Sequence, residues 1–223
     1  MKFMIDSISI EQIKEAIAYM PIEGVTSNPT IVKKTKPQDF FDHMRTIRKC
    51  IGQERSLHVQ VLALDSETMV QEAHQISKEI DKQVYIKVPV TYEGIKTIKV
   101  LKQEGYNVTA TAIYEPLQAY MAVSAGADYI APYVNRMANL GSDPMALIDQ
   151  LSKQIQRDKY DCSIVGASFT NTKQIQEALL HGADAITASY EVLQMIFNNP
   201  SVDKAVHAFA NDWQDVYGKN TLY

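Results

Sequence analysis

The stretch Val84-Tyr85-Ile86-Lys87-Val88-Pro89-Val90, followed by an amphipathic segment from Thr91 to Glu104, decides the fold. Its seven residues are mainly apolar and β-branched, as in a strand buried on both faces of a parallel sheet. The segment that follows has the period of a helix, with a threonine suited to cap its start. A strand followed by a helix in this way is one unit of an α/β fold.

The same unit recurs along the chain. Eight short runs predict strands over Phe3 to Asp6, Gly24 to Asn28, Leu57 to Leu62, Val84 to Pro89, Asn107 to Ala112, Asp128 to Tyr133, Ser163 to Ser168 and Asp184 to Ala188. Each is followed by an amphipathic segment, and these segments predict helices over Ser9 to Met20, Pro37 to Ile51, Ser66 to Ile80, Thr91 to Glu104, Glu115 to Ala125, Asp143 to Gln156, Asn171 to Leu180 and Tyr190 to Phe197. Expected N-caps are Ser66, Thr91, Asp143 and Asn171, and expected glycine ends are Gly105, Gly126 and Gly182.

Eight strand–helix units in 223 residues predict a single α/β domain over residues 1–223, folded as a (β/α)8 TIM barrel. An extra helix is predicted from Ser201 to Tyr217. It carries Phe209, Trp213 and Tyr217 at spacings of four residues, an aromatic stripe suited to pack on the barrel or on a neighbouring subunit. We favour the neighbour, because aromatic residues are enriched at interfaces.

Composition narrows the classes of function. The formal net charge is −4 and the basic residues are scattered, so we expect no nucleic-acid partner and no membrane partner. No apolar run approaches the roughly 18 to 20 residues of a spanning helix. The two cysteines, Cys50 and Cys162, match no metal or redox spacing, which favours a reducing, cytoplasmic location.

Lys87 is the strongest single candidate for chemistry, because lysine is rarely placed in a buried strand without a reason. One interpretation is a side chain that extends its ammonium out of the barrel mouth or pairs with Asp6. The other is a Schiff-base nucleophile whose pKa is lowered by burial. The residues alone leave both interpretations open.

Further polar residues stand at the predicted strand ends, which is where TIM barrels place their active sites. Asp6 suits acid–base work, binding of sugar hydroxyls, or capping of the next helix. Gln60, Thr111 and Tyr133 suit the positioning of a water molecule, or the satisfaction of backbone groups. Arg136 and Ser168 suit a phosphate site, although an isolated arginine also suits a surface ion pair. The histidines show no metal-ligand spacing, so we expect no metal and no cofactor.

Six motifs in order resemble the small transaldolase family, which includes the fructose-6-phosphate aldolases. They are Gly-Val-Thr-Ser-Asn-Pro-Thr (24–30), Val-Gln-Val (59–61), Lys-Val-Pro-Val-Thr-Tyr-Glu-Gly (87–94), Thr-Ala-Ile-Tyr (111–114), Ala-Pro-Tyr-Val-Asn-Arg (131–136) and Ala-Ser-Phe (167–169). The resemblance runs over nearly the whole chain, from Asp6 to the pair Asp212 and Trp213.

The resemblance implies a class I aldolase that reversibly cleaves fructose 6-phosphate to dihydroxyacetone and glyceraldehyde 3-phosphate. It implies a Schiff base on Lys87 and a catalytic water arranged by Gln60, Thr111 and Tyr133, with Tyr133 as the acid–base group. Asp6 and Asn28 are implied to contact the hydroxyls of the three-carbon unit, and Thr26 of the first motif is expected to bind substrate with them. The aldehyde's phosphate is implied to bind Arg136 and Ser168.

Two rival functions remain. A transaldolase of the pentose phosphate pathway would pass the three-carbon unit to an aldose phosphate; the resemblance favours aldolase because transaldolases of this family usually carry glutamate and phenylalanine at the positions of Gln60 and Tyr133. A non-catalytic sugar-phosphate-binding barrel is the rival of another class.

The resemblance also implies a homo-oligomer, with rings of five that stack into decamers. It differs at Ala110, where related aldolases often have glycine, and this methyl group is expected to narrow the pocket.

Overall fold

The computed structural model describes residues 1–223 and has eight parallel strands that close into a barrel in sequence order. This confirms the predicted (β/α)8 fold. The strands are β1 Lys2–Asp6, β2 Ile22–Thr26, β3 Ser56–Gln60, β4 Tyr85–Pro89, β5 Asn107–Ile113, β6 Tyr129–Pro132, β7 Ser163–Gly166 and β8 Ala185–Ala188.

Eleven helices surround or follow the strands: α1 Ile10–Tyr19, α2 Pro29–Thr35, α3 Phe40–Ile51, α4 Ser66–Glu79, α5 Tyr92–Gln103, α6 Pro116–Ser124, α7 Val134–Asn139, α8 Pro144–Asp158, α9 Thr172–Leu180, α10 Tyr190–Gln194 and α11 Pro200–Tyr217. The sequence did not predict α2 and α7, which have seven and six residues. Both are too short for a helical period to show, and both lie in the loops that follow strands. None of the helices has the length and apolar composition required to cross a bilayer.

Local capping follows the predictions with one correction. Thr91, Asp143 and Asn171 cap α5, α8 and α9, and Gly105, Gly126 and Gly182 all have positive φ. The prediction for Ser66 was wrong, because Asp65 caps α4 by accepting from the Thr68 amide. Ser66 is instead the first helical residue and is buried, where it accepts a hydrogen bond from Thr97.

Two apolar clusters divide the interior. A cluster of 44 buried residues includes the outward face of the strands and the helix faces that cover it. A second cluster of six, with Met4, Tyr129 and Ala131 among its members, lies on the inward face. Most of the buried apolar surface, and hence most of the hydrophobic stabilisation, is therefore outside the barrel wall.

A break in β5 controls which residues face inward. Ala112 has φ 59°, a left-handed conformation for a non-glycine residue, and the register with β6 shifts between Ala110 and Ile113. Ala110 and Ile113 both belong to the outer cluster although three residues separate them. The bulge thus lets Thr111 end the inward face while Ile113 returns to the helix layer. Because the Ala110 methyl group lies in the outer layer, the expectation that it narrows the pocket was wrong.

Gly94 joins β4 to α5 at close range. A Cβ atom on this residue would lie 1.8 Å from the Pro89 carbonyl oxygen, and its amide donates to Thr91 Oγ1 at 2.9 Å. Only a glycine allows the first turn of α5 to pack this closely against the end of β4, the strand that carries Lys87.

We therefore expect Gly94→Ala to lower the free energy of unfolding by about 3 kcal/mol or more, through overpacking of the α5 turn. Gly141→Ala is the matched control, because Gly141 has φ +81° and open space around it, so that only the left-handed backbone, at about 1 kcal/mol, is penalised. Urea denaturation of both variants measures the difference, and equal losses would contradict the role assigned to Gly94.

Candidate active site

Lys87 lies inside the barrel near the carboxyl end of β4. It is 6% exposed, and its Nζ donates a 2.8 Å hydrogen bond to the backbone carbonyl oxygen of Ser27. At this exposure its ammonium does not extend into solvent, and no salt bridge joins it to Asp6 or to another carboxylate. Burial lowers the pKa of Lys87, and the charge of Asp6 offsets part of that shift.

Asp6 lies at the end of β1 and belongs to a chain of hydroxyl groups. Its Oδ1 accepts from Thr26 Oγ1 at 2.6 Å, and Thr26 Oγ1 is 2.7 Å from Thr187 Oγ1. Asn28 Nδ2 donates a long bond of 3.5 Å to Asp6 Oδ2. Burial raises the pKa of Asp6, while Lys87 and the Thr26 hydroxyl oppose this shift. Asp6 does not cap the next helix, because Ser9 does so.

Asn28 has a second role that explains its position. Its Oδ1 accepts from the Ile31 amide at 3.1 Å and thus caps α2, while Pro29 occupies the first helical turn. β2 ends at Thr26, two residues earlier than predicted, so Asn28 belongs to the loop. The cap fixes the Asn28 side chain with its amide group toward Asp6.

Thr111 and Tyr133 meet on the other side of Lys87. Their hydroxyl oxygens are 3.1 Å apart, and burial raises the pKa of Tyr133 while the Thr111 hydroxyl lowers it. Gln60 is the register partner of Lys87 on β3. Its Oε1 is buried without a hydrogen-bond partner in the protein, so an acceptor is left for a bound molecule.

Arg136 and Ser168 lie on the same sector of the rim without touching. Arg136 is exposed on α7, with its guanidinium carbon 4.9 Å from the centre of the Tyr133 ring. Ser168 has φ 62°, and its carbonyl accepts from the Asn135 amide at 2.9 Å. A left-handed non-glycine residue stores strain of the kind found at functional sites.

Three residues of this cluster were not predicted from the sequence as members of the site. Ser27 supplies the carbonyl that holds Lys87, Thr187 supplies the contact of the eighth strand, and Tyr114 accepts from Arg136 Nη1 at 3.5 Å. The signal for Thr187 was present, because it is the polar residue near the carboxyl end of the run from Asp184 to Ala188. Backbone roles such as that of Ser27 leave no signal in the residue type.

A cavity of about 500 Å³ opens beside this cluster. Its lining includes the polar residues Ser27, Asn28 and Gln60 and the aromatic residues Phe40 and Phe41. No group of three or more His, Cys, Asp or Glu side chains is arranged to hold a metal ion.

Below Lys87 the barrel is occupied by His58, which is fully buried. Burial and the nearby charges of Lys87, Arg48 and Lys2 lower the pKa of His58 from 6.5 to about 3. The folded protein therefore binds this proton much more weakly than the unfolded chain does.

Comparison with known proteins gives a consistent result. The sequence profile of the family described as transaldolase/fructose-6-phosphate aldolase matches residues 3–220. A probable fructose-6-phosphate aldolase of Streptococcus pneumoniae (strain ATCC 700669 / Spain 23F-1) is 45% identical over 213 residues, which are 96% of each chain. Among solved structures, the inosine 5′-monophosphate dehydrogenase of Legionella pneumophila has a TM-score of 0.59 at 15% identity. That likeness covers 85% of this chain and 58% of the dehydrogenase chain, and it shows the barrel fold alone.

The low pKa of His58 predicts a loss of stability in acid. Between pH 6.5 and about pH 3, His58 is protonated in the unfolded chain but stays neutral in the folded protein. The free energy of unfolding therefore falls as the pH falls. The slope from this one group is at most about 1.4 kcal/mol per pH unit. His58→Phe should flatten the wild-type curve between pH 6.5 and pH 4, measured by urea denaturation at each pH. Parallel curves for both proteins would contradict a buried neutral histidine.

Proposed function

The chain belongs to the transaldolase/fructose-6-phosphate aldolase family, and we propose that within this family it is a class I aldolase that reversibly cleaves fructose 6-phosphate. The observation that carries the proposal is the buried Lys87, whose amine has a lowered pKa and no carboxylate partner. A neutral amine is the form that attacks a carbonyl carbon. The 45% identical relative that is named a probable fructose-6-phosphate aldolase supports the choice of substrate.

The proposed reaction begins with attack of Lys87 Nζ on the C2 carbonyl of the open-chain sugar. The carbinolamine loses water to give an iminium ion, which serves as the electron sink when the C3–C4 bond breaks. The C4 hydroxyl loses its proton, glyceraldehyde 3-phosphate leaves, and an enamine of three carbons remains on Lys87. Protonation of the enamine carbon and addition of water release dihydroxyacetone and restore the amine.

The remaining site residues are assigned by position. Tyr133, bonded to Thr111, is proposed as the acid–base group, and the free Gln60 Oε1 is proposed to accept from the hydrolytic water. Asp6, Thr26 and Asn28 are proposed to hold the hydroxyls of the three-carbon unit. Arg136 is proposed to bind the phosphate with Ser168, since its guanidinium lies exposed at the rim beside Tyr133.

The choice of aldolase over transaldolase depends on Tyr133. A hydroxyl group near the enamine supplies the proton that releases dihydroxyacetone. A phenylalanine has no such proton, so the enamine would persist until it adds to a second aldehyde. Transfer to an aldose phosphate, as in the pentose phosphate pathway, is the competing outcome of the test below. We also propose a cytoplasmic location, in line with two cysteines that are both free thiols.

We propose in addition that α11 packs on a second copy of the chain. The helix has 18 residues and none is buried. Phe209, Trp213 and Tyr217 are 70%, 36% and 58% exposed, and the Trp213 and Tyr217 rings lie 4.3 Å apart. An apolar stripe of this size supports an oligomer, for which the family resemblance suggests pentamers or decamers.

Activity can be tested directly. Steady release of glyceraldehyde 3-phosphate from fructose 6-phosphate is expected without any acceptor, and release only with erythrose 4-phosphate present would make the protein a transaldolase.

Lys87→Met should reduce turnover to background and abolish the borohydride-trapped adduct, while circular dichroism shows a folded protein. Tyr133→Phe should lower kcat by roughly 10²- to 10⁴-fold but keep the adduct. Binding without an adduct in the wild type would favour a non-catalytic barrel.

The oligomer has its own test. Phe209→Glu should shift the mass measured by light scattering toward the monomer, because a carboxylate cannot be desolvated in an apolar contact without a partner. Lys219→Glu, just beyond the helix, is the control and should leave the mass unchanged. A wild-type protein that is monomeric at micromolar concentration would end this proposal.

A further inference from the structure

The two residues proposed to bind the phosphate are carried by different parts of the chain. Arg136 lies on α7, which follows β6, whereas Ser168 lies in the loop between β7 and α9. A phosphate bound between them is held well only if the helix and the loop keep a fixed separation, because each segment that must be ordered on binding weakens the affinity.

The loop that carries Ser168 has a backbone conformation that needs support. Ser168 has φ 62°, and a left-handed residue with a side chain persists only where its surroundings fix it. The backbone amides of Ser168 and Phe169 donate to no acceptor in the protein. Successive amides beside a left-handed residue form a concave site suited to an anion. The shape of this loop therefore matters to the phosphate that is proposed to bind there.

Gln174, in the first turn of α9, joins the two parts. Its Oε1 accepts from the Thr170 amide at 2.9 Å, and its Nε2 donates to Asn135 Oδ1 at 3.0 Å. Thr170 belongs to the loop, and Asn135 precedes Arg136 in α7. The Asn135 amide in turn donates to the Ser168 carbonyl oxygen at 2.9 Å. One side chain therefore links the helix that carries Arg136 to the loop that carries Ser168.

The amide group of Gln174 serves both partners in one orientation only. A backbone amide can only donate, so the contact with Thr170 requires the oxygen of Gln174, and the nitrogen is left for Asn135. The backbone of Gln174 is fixed as well, because its own amide donates to Asn171 Oδ1, the N-cap of α9, at 3.0 Å. A side chain of the same length without donor and acceptor would lose both bonds.

We propose that Gln174 is a positioning residue that sets the preference of the enzyme for a phosphorylated aldehyde. It acts through Asn135 and Thr170, and so keeps Arg136 and Ser168 at the separation that a phosphate requires. The inference rests on the proposed function, because it takes the phosphate of the aldehyde to bind at these two residues.

The test compares glyceraldehyde 3-phosphate with glyceraldehyde as acceptors of dihydroxyacetone, since the two aldehydes differ only in the phosphate group. Gln174→Met should lower the ratio of kcat/KM for the phosphorylated over the unphosphorylated aldehyde roughly 5- to 20-fold, as expected for the loss of two hydrogen bonds. The loss should appear in KM for glyceraldehyde 3-phosphate, with kcat unchanged, because the chemistry at Lys87 is not altered. For glyceraldehyde, kcat/KM should stay within about twofold.

Gln156→Met is the matched control. Gln156 is an exposed glutamine of α8, and its side chain donates to Ser152 of the same helix at 3.4 Å. Its replacement should leave both acceptors unchanged. An unchanged ratio in Gln174→Met, or an equal fall for the two acceptors, would overturn the inference.

Asn135→Ala removes the same link from the side of α7. It takes away Oδ1 but keeps the backbone amide that bonds Ser168, so it should lower the ratio to a similar extent, and it decides the question should Gln174→Met fail to fold. In an Arg136→Met background, Gln174→Met should lower the ratio less than in the wild type, because part of its effect acts through Arg136. Full additivity would contradict the positioning role.

Failure of the proposed function would look different. Borohydride trapping of dihydroxyacetone on Lys87 should succeed in the wild type and in Gln174→Met alike. If the wild type gives no adduct, the Schiff-base function is refuted and the inference falls with it. If adducts form but the wild type does not prefer the phosphorylated aldehyde, the phosphate site at Arg136 and Ser168 is refuted. If that preference exists and survives in Gln174→Met, only the role of Gln174 is refuted.

Discussion

The constraint on which the structure depends is the burial of an amine at Lys87. Removing an ammonium group from water is costly, and a protein meets that cost with hydrogen bonds, with an opposite charge, or by loss of the proton. Here one backbone carbonyl, that of Ser27, contacts Nζ, and Asp6 acts only from a distance. The barrel thus favours the neutral, nucleophilic amine, and a closer carboxylate would have favoured the ammonium.

The same constraint governs the residues below the amine. A second positive charge inside the barrel would be repelled by any protonated Lys87, and the low pKa of His58 avoids this charge. A neutral imidazole still satisfies Thr109 and Ser56, so no polar group of this set is left without a partner. The polar interior is tolerated because the larger apolar cluster, which holds 44 residues, lies on the other side of the strands. The polar residues proposed for catalysis and the apolar residues of the larger cluster therefore lie on opposite faces of the same strands.

Much of this arrangement could be predicted from sequence, and the failures have physical causes. The eight strands and Lys87 follow from local patterns, because a buried strand has a recognisable composition and a lysine within it stands out. The helices α2 and α7 have too few residues to show a period. The outward direction of Ala110 is not visible from composition, because it depends on the alternation along β5 and on the bulge at Ala112. The contact of Ser27 is made by its backbone, and the hydrogen bond of His58 to Thr109 joins two strands that meet only in the fold.

The polar residues are graded along the barrel axis, from an exposed charged group at the rim to buried groups in the interior. Arg136 is the most exposed charged group of this set and lies on the rim. Water lowers the free-energy cost of an unpaired cation there. The reactive amine is deeper, and the neutral hydroxyl of Thr109 stands beside it on the inner wall. The proposed function therefore predicts that a sugar phosphate enters with its phosphate toward Arg136 at the rim. Turned around, it would bring the phosphate toward the buried carboxyl group of Asp6, where no guanidinium is placed to pair with it.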